Sequence, residues 1–378
     1  MVSKFWRTCR TSVLAGSHWY RGFFSLSREV TSLWRWVKRL VFALDIALIG
    51  LVAPPIYIEV ACRGEPSGTG YQPLIVDPNW QRAESRTLLT YPEWHIVHAY
   101  DEYARVITTG APHEFGYLRA ISGFWGTLCP LTEAAASMGG VTGDTKATIY
   151  TIGVSFTAEL LAKAAYEETL GRVTVWLRGA ERAPLDDLSA AQAAAYGAFL
   201  QQSPWYKWDF ATNAKALADL SGDSLRDRER RFALGAEYGA KAAYAGVIEA
   251  AVAGVGADDL RLRSVVSGVA SEILSDIAGI TIIGLLGDGI EIEIDRYRAF
   301  TVILERLSAA GADIREIAGN DQVLLTALSD LQKIDGALYS IRRHGYGDYR
   351  HLIVVPVRDL ADRLRALNGL RLEHVHDY

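Results

Sequence analysis

Near residue 278 the apolar pattern of this chain changes period, from the three-to-four spacing of helices to the alternation of strands, and that switch limits what it can fold into. Ile280-Thr281-Ile282-Ile283 and Ile290-Glu291-Ile292-Glu293-Ile294 predict two strands joined through a turn at Gly287-Asp288-Gly289. A helix over 297–310, stopped by Gly311, follows, and then a strand over 313–317. The order recurs as strand 337–342, a turn at 345–347, strand 351–355, helix 358–367, Gly369 and strand 370–375. Two β-β-α-β units in tandem are therefore expected over residues 257–378, with residues 322–328 as an extra element between them. Each helix is amphipathic, as Leu360, Leu364 and Leu367 illustrate, and would cover one face of an antiparallel sheet.

Upstream, residues 91–256 read as an all-α domain. Pro92-Glu93 opens a helix that Thr109-Gly110 closes, Pro112 opens another that Pro130 ends, and further helices are expected near 144–179, 189–202 and 225–254. A nine-residue phrase occurs twice in it, beginning at Ala158 and Ala236, with seven of nine positions identical. A duplicated helical hairpin is the simplest account. Each copy sets Glu and Lys at i and i+4, as Glu159 with Lys163 and Glu237 with Lys241. Solvated pairs would be structural, whereas pairs facing one another between helices could hold a ligand or proton. The expected class is thus α plus α+β, the second part being a split-βαβ or ferredoxin-like sandwich. Such modules serve effector binding, dimerisation and docking alike.

Residues 40–58 form a nineteen-residue run with one charge, Asp45, flanked by Trp34, Trp36 and Tyr57. That length and those flanks predict a transmembrane helix making the chain a single-pass membrane protein. Eight cations against the single acid Glu29 precede it, so the basic, aromatic arm 1–39 is expected in the cytoplasm and the bulk of the chain on the outer side, beyond a loop over 59–90. Asp45 is expected to snorkel to the interface. The lipid bilayer is the first expected partner, and a protein partner or second copy bound through the C-terminal module the next.

With 50% hydrophobic and 22% charged residues and a net charge of −5, the 378-residue chain has the composition of a packed protein and no basic field for nucleic acid. Cys9, Cys62 and Cys129 lack metal-site spacing; Cys62 and Cys129 could pair, though free thiols are expected. Phosphate-cradling glycine motifs, nucleophile elbows and H-E-x-x-H are absent, and no cofactor is indicated. The best-spaced chemistry is His95, His98 and Glu102, one helix face able to offer two imidazoles and a carboxylate to zinc or iron. His374 and His376 share a strand face near the chain end, an insecure platform. A binding, assembly or sensing role is expected, the alternative being an enzyme or metal-binding protein built on the His95 cluster.

Overall fold

The computed structural model describes residues 16–68, 70–178, 181–222, 224–255 and 260–378, with side chains described for these apart from 16–33, 36, 40, 43, 44, 47 and 250–255. The chain divides into two units, Met1–Ile56 and Tyr57–Tyr378. The first holds most of α1 (Gly16–Ala61), a 46-residue helix containing Pro54 and Pro55. The transmembrane anchor expected over 40–58 is corrected here. Among the described residues no helix is long and apolar enough to cross a membrane, and the localisation built on that anchor falls with it. Asp45 and the Pro54-Pro55 pair inside α1 interrupt the apolar run that a core about 30 Å thick requires. Of the basic arm, residues 1–15 lie outside the described residues altogether.

The second unit begins with a helical layer: α2 (Arg86–Leu89), α3 (Tyr91–Thr109), α4 (Tyr117–Ala136), α5 (Gly143–Tyr166), α6 (Arg172–Arg178), α7 (Pro184–Leu200), α8 (Phe210–Asp219) and α9 (Leu225–Val255). Pro130 does not end its helix as expected. It lies inside α4, where burial of Leu128 and Leu131 on either side offsets the lost backbone hydrogen bond. Cys62 and Cys129 form a disulfide that ties the chain just beyond α1 to α4, correcting the expectation of free thiols.

Two four-stranded antiparallel sheets follow. The first comprises β1 (Arg261–Ser267), β2 (Ile280–Leu286), β3 (Gly289–Asp295) and β4 (Asp313–Ile317), with α10 (Ser271–Ser275) and α11 (Arg298–Ala309) in its connections. The second comprises β5 (Gln322–Ser329), β6 (Ala337–Arg342), β7 (Tyr349–Pro356) and β8 (Arg371–Val375), with α12 (Val357–Arg365) before β8. Their strand orders, β2-β3-β1-β4 and β6-β7-β5-β8, are one pattern used twice. Each unit is therefore a strand longer than the β-β-α-β expected. The element at 322–328 is the central strand β5, and β1 is its counterpart, hidden in sequence because Arg261-Leu262-Arg263-Ser264-Val265-Val266 alternates only in part.

The two sheets bury different amounts of surface. In the first, Leu262, Val266, Ile292 and Ile294 face a core shared with Phe300, Ile303, Leu304 and Leu307 of α11, a helical i, i+3, i+4, i+7 stripe. Its other face carries cross-strand pairs such as Arg263 with Glu291 at 3.0 Å. Ile283 and Leu285 on β2 are exposed, Leu285 at 86%. The second sheet is covered on both faces. Val323, Leu325, Ile353 and Val355 join the α11 and α12 core, while Leu324 and Leu352 join the core of α2, α3 and α4. Seven consecutive β5 residues, Val323 to Ser329, are buried as a result, the pattern of a doubly covered strand. This placement sets β7 and β8 against α3.

Candidate functional site

Pro92 in the first turn of α3, with Glu93 beside it, starts a helix whose neighbours surround it on three sides. Ala99, Tyr103 and Ile107 join the core with α4, and Tyr100 packs with Tyr196 and Phe210 of α7 and α8. Tyr91, Trp94, His95, His98 and Glu102 form the remaining stripe, and its ring and charge contacts reach β7 and β8. The shared face expected for His95, His98 and Glu102 thus exists, buried beneath the second sheet.

His374 and His376 come to the same place. Trp94 lies 3.6 Å from His374 between ring centroids, 5.8 Å from His98 and 6.1 Å from His376, and the two C-terminal imidazoles are 4.9 Å apart. The chain end is also no loose platform. His376 N–H donates to the Leu324 carbonyl, Asp377 accepts from Arg296, and Tyr378 is buried. Two motifs that looked separate in sequence are one cluster of four buried histidines.

Burial controls their chemistry. Desolvation lowers His95 to about 4 and His376 to about 3, and holds His98 and His374 well below the ordinary imidazole range, with the Arg350 charge adding to the effect at His98. All four are neutral at pH 7. His95 Nε2 donates to the Ala120 carbonyl at 2.9 Å, so its Nδ1 is a bare acceptor. Gly123 leaves room for this approach, since a Cβ there would lie 2.8 Å from His95 Cε1. His95 Nδ1, the Nε2 atoms of His98, His374 and His376, and the Tyr91 hydroxyl are buried without a hydrogen-bond partner among the described residues.

A charged chain links this cluster to the surface. Arg350, 1% exposed, donates to Glu373 at 2.8 Å and to Glu102 at 3.3 Å. The other Glu102 oxygen accepts from His344 N–H at 2.9 Å. Burial nonetheless raises the Glu102 carboxyl, against the pull of Arg350 and that amide. Glu102 and His95 then line a small cleft with Gly116, Arg119, Arg342 and His344, its free space of about 20 Å³ matching one water molecule. Arg119 and Arg342, both exposed, have no acidic partner among the described residues.

His95 Nδ1 and His98 Nε2 are free, but both Glu102 oxygens are engaged, and among the described residues the ligand atoms of His95, His98 and Glu102 do not come together within 4.8 Å. Among the described residues, three metal-ligating atoms converge only at Cys62, Cys129 and Glu133. Sequence reasoning missed Arg350, Glu373, His344, Arg119 and Arg342; the Arg343-His344 pair in a glycine turn was the available signal.

The duplicated phrase forms a second buried assembly. Lys163 meets Glu237 at 3.0 Å and Lys241 meets Glu159 at 2.8 Å, so each copy's lysine pairs with the other copy's glutamate. Lys241 also meets its own Glu237 at 3.1 Å, and Tyr100 donates to Glu159 at 2.5 Å. The neighbouring layer pairs Arg230 with Glu167 at 2.8 Å and Arg226 with Asp186 at 2.9 Å. Comparison with protein-family models, curated proteins and solved structures gives no match to this chain.

Proposed function

We propose that this chain is a binding protein, sensing or carrying a small anionic ligand held at the mouth of the cleft between α3, the first turn of α4 and the β6–β7 turn, where Arg119 and Arg342 are exposed beside a space that admits only a water-sized group. One observation carries the reading: Arg119 and Arg342 flank the cleft with no acidic partner among the described residues. The acids nearest the floor are already taken by Arg350 and the His344 amide. Arg119 also sits in the first turn of a 20-residue helix, where the backbone dipole favours an anion. Planar guanidinium groups suit a carboxylate or phosphate oxygen pair.

The β-sheet part fits this role as a pair of ferredoxin-like units. The shared strand order supports that reading, with the first crossover helix reduced to the five residues of α10 in one unit and replaced by a loop in the other. Calorimetric titration with inorganic phosphate and with succinate tests the proposal. Binding of either should weaken with salt and fall about tenfold in Arg119→Ala or Arg342→Ala, equivalent to about 1.4 kcal/mol. Failure of both to bind, or unchanged affinity in both variants, overturns it.

A further inference from the structure

We infer that Cys62, Cys129 and Glu133 form a redox-gated site for a thiophilic divalent cation of the zinc type. Their sulfur and carboxylate atoms lie within 4.8 Å of one another, on the helix α4 and on the residue that follows α1. Cys129 and Glu133 are one helical turn apart, with Sγ 3.8 Å from Oε1. Cys62 is 1% exposed, Cys129 half-buried and Glu133 open to solvent, so an ion entering beside Glu133 would meet the sulfurs beneath it. Two thiolates and a carboxylate are a zinc donor set that leaves a fourth position for water.

In the structure described, the sulfurs are joined and cannot act as thiolates. A dithiol reductant would supply two electrons and two protons, becoming a disulfide itself while Cys62 and Cys129 become thiols. Binding the cation then releases those two protons as two metal–sulfur bonds form. At zinc–sulfur distances of about 2.3 Å, tetrahedral geometry sets the sulfurs roughly 3.7 Å apart. The Cα atoms, 5.1 Å apart, allow that separation through side-chain rotation alone. Oxidation closes the site and reduction opens it, while both forms hold the segment after α1 against α4.

The test uses the full chain, oxidised or reduced with a phosphine and desalted, titrated with cobalt(II) under argon. The reduced protein should bind one cobalt per chain with a thiolate-to-cobalt charge-transfer band, and the oxidised protein should show none. Cys129→Ser should abolish the band, and Glu133→Gln, a change at an exposed side chain, should weaken cobalt binding about tenfold. Near-ultraviolet circular dichroism should stay native throughout. A reduced protein without the band, a band that Glu133→Gln leaves at full affinity, or one that appears only as the native signal is lost would each overturn the site.

Discussion

The helical layer and the helix–sheet joint both bury polar side chains, and they resolve the cost in opposite ways. In the Glu-Lys square of α5 and α9, burial works against charge, yet opposite charges outweigh it: Lys163 is raised through Glu237, and Lys241 is raised well above its usual range through Glu159, Tyr100 and Glu237. Burial likewise pushes Glu237 up, but the two ammonium groups beside it bring it down to about 2. At the joint of α3 with β7 and β8, desolvation wins. The histidines are neutral, and several ring nitrogens have no partner. A closed, balanced square is what a structural ion cluster requires, whereas buried groups left unsatisfied among the described residues call for another explanation, which the proposed site at the neighbouring small cleft supplies.

Breaking the square should have the largest effect. Glu237→Gln leaves Lys163 without the only carboxylate in contact with it among the described residues, and should destabilise the chain by about 3 to 5 kcal/mol in urea unfolding. A loss below 1 kcal/mol would mean that the square is solvated and the contrast false. Replacing Glu237 and Lys163 together by Leu should cost much less than Glu237→Gln, because no unpaired charge remains.

Acid should separate the two regions by pH window. The histidines have folded-state values below their unfolded value near 6.5, so the unfolded chain binds more protons and stability is lost as pH falls from about 6.5 toward the His95 and His376 values of about 4 and about 3. Glu237, lowered to about 2, contributes stability that is present above its unfolded value near 4.5 and lost between there and about 2. Urea midpoints measured between pH 7 and 5 should therefore decline in the wild type and decline less in His376→Gln. An unchanged slope in that variant would remove His376 from the account.

Smaller effects should sharpen the contrast. His98→Leu deletes a buried nitrogen that has no hydrogen-bond partner, so its stability should stay within about 1 kcal/mol of wild type, unlike any single change in the square. Least of all, Arg119→Ala and Arg342→Ala should alter thermal unfolding by no more than about 0.5 kcal/mol while weakening anion binding. Arginines whose removal destabilised the fold as much as Glu237→Gln would be structural.

Local pattern carried much of this into view. The repeated phrase named Glu159, Lys163, Glu237 and Lys241, and helical spacing placed His95, His98 and Glu102 on one face, because both follow from the 3.6-residue turn. The strands at 313–317 and 337–342 were legible in the same way, from alternation and glycine stops. β1 was not, since it alternates only in part, and β5 was legible only as an element over 322–328 and not as a central strand, since it is apolar on both faces.

By itself, then, the sequence determined the helix-then-sheet order, the doubled units and which residues share a face, since these depend on backbone period and turn chemistry over short stretches. Tertiary structure decided what each face meets. Only the recruitment of β5 as a central strand, covered on both sides, brings β8 beneath α3 and sets His374 and His376 against Trp94 and His98. Likewise, only the packing of α1's last turn against α4 region residues joins Cys62 to Cys129. Contacts between residues this far apart depend on shape and on competing burial, which no local spacing encodes.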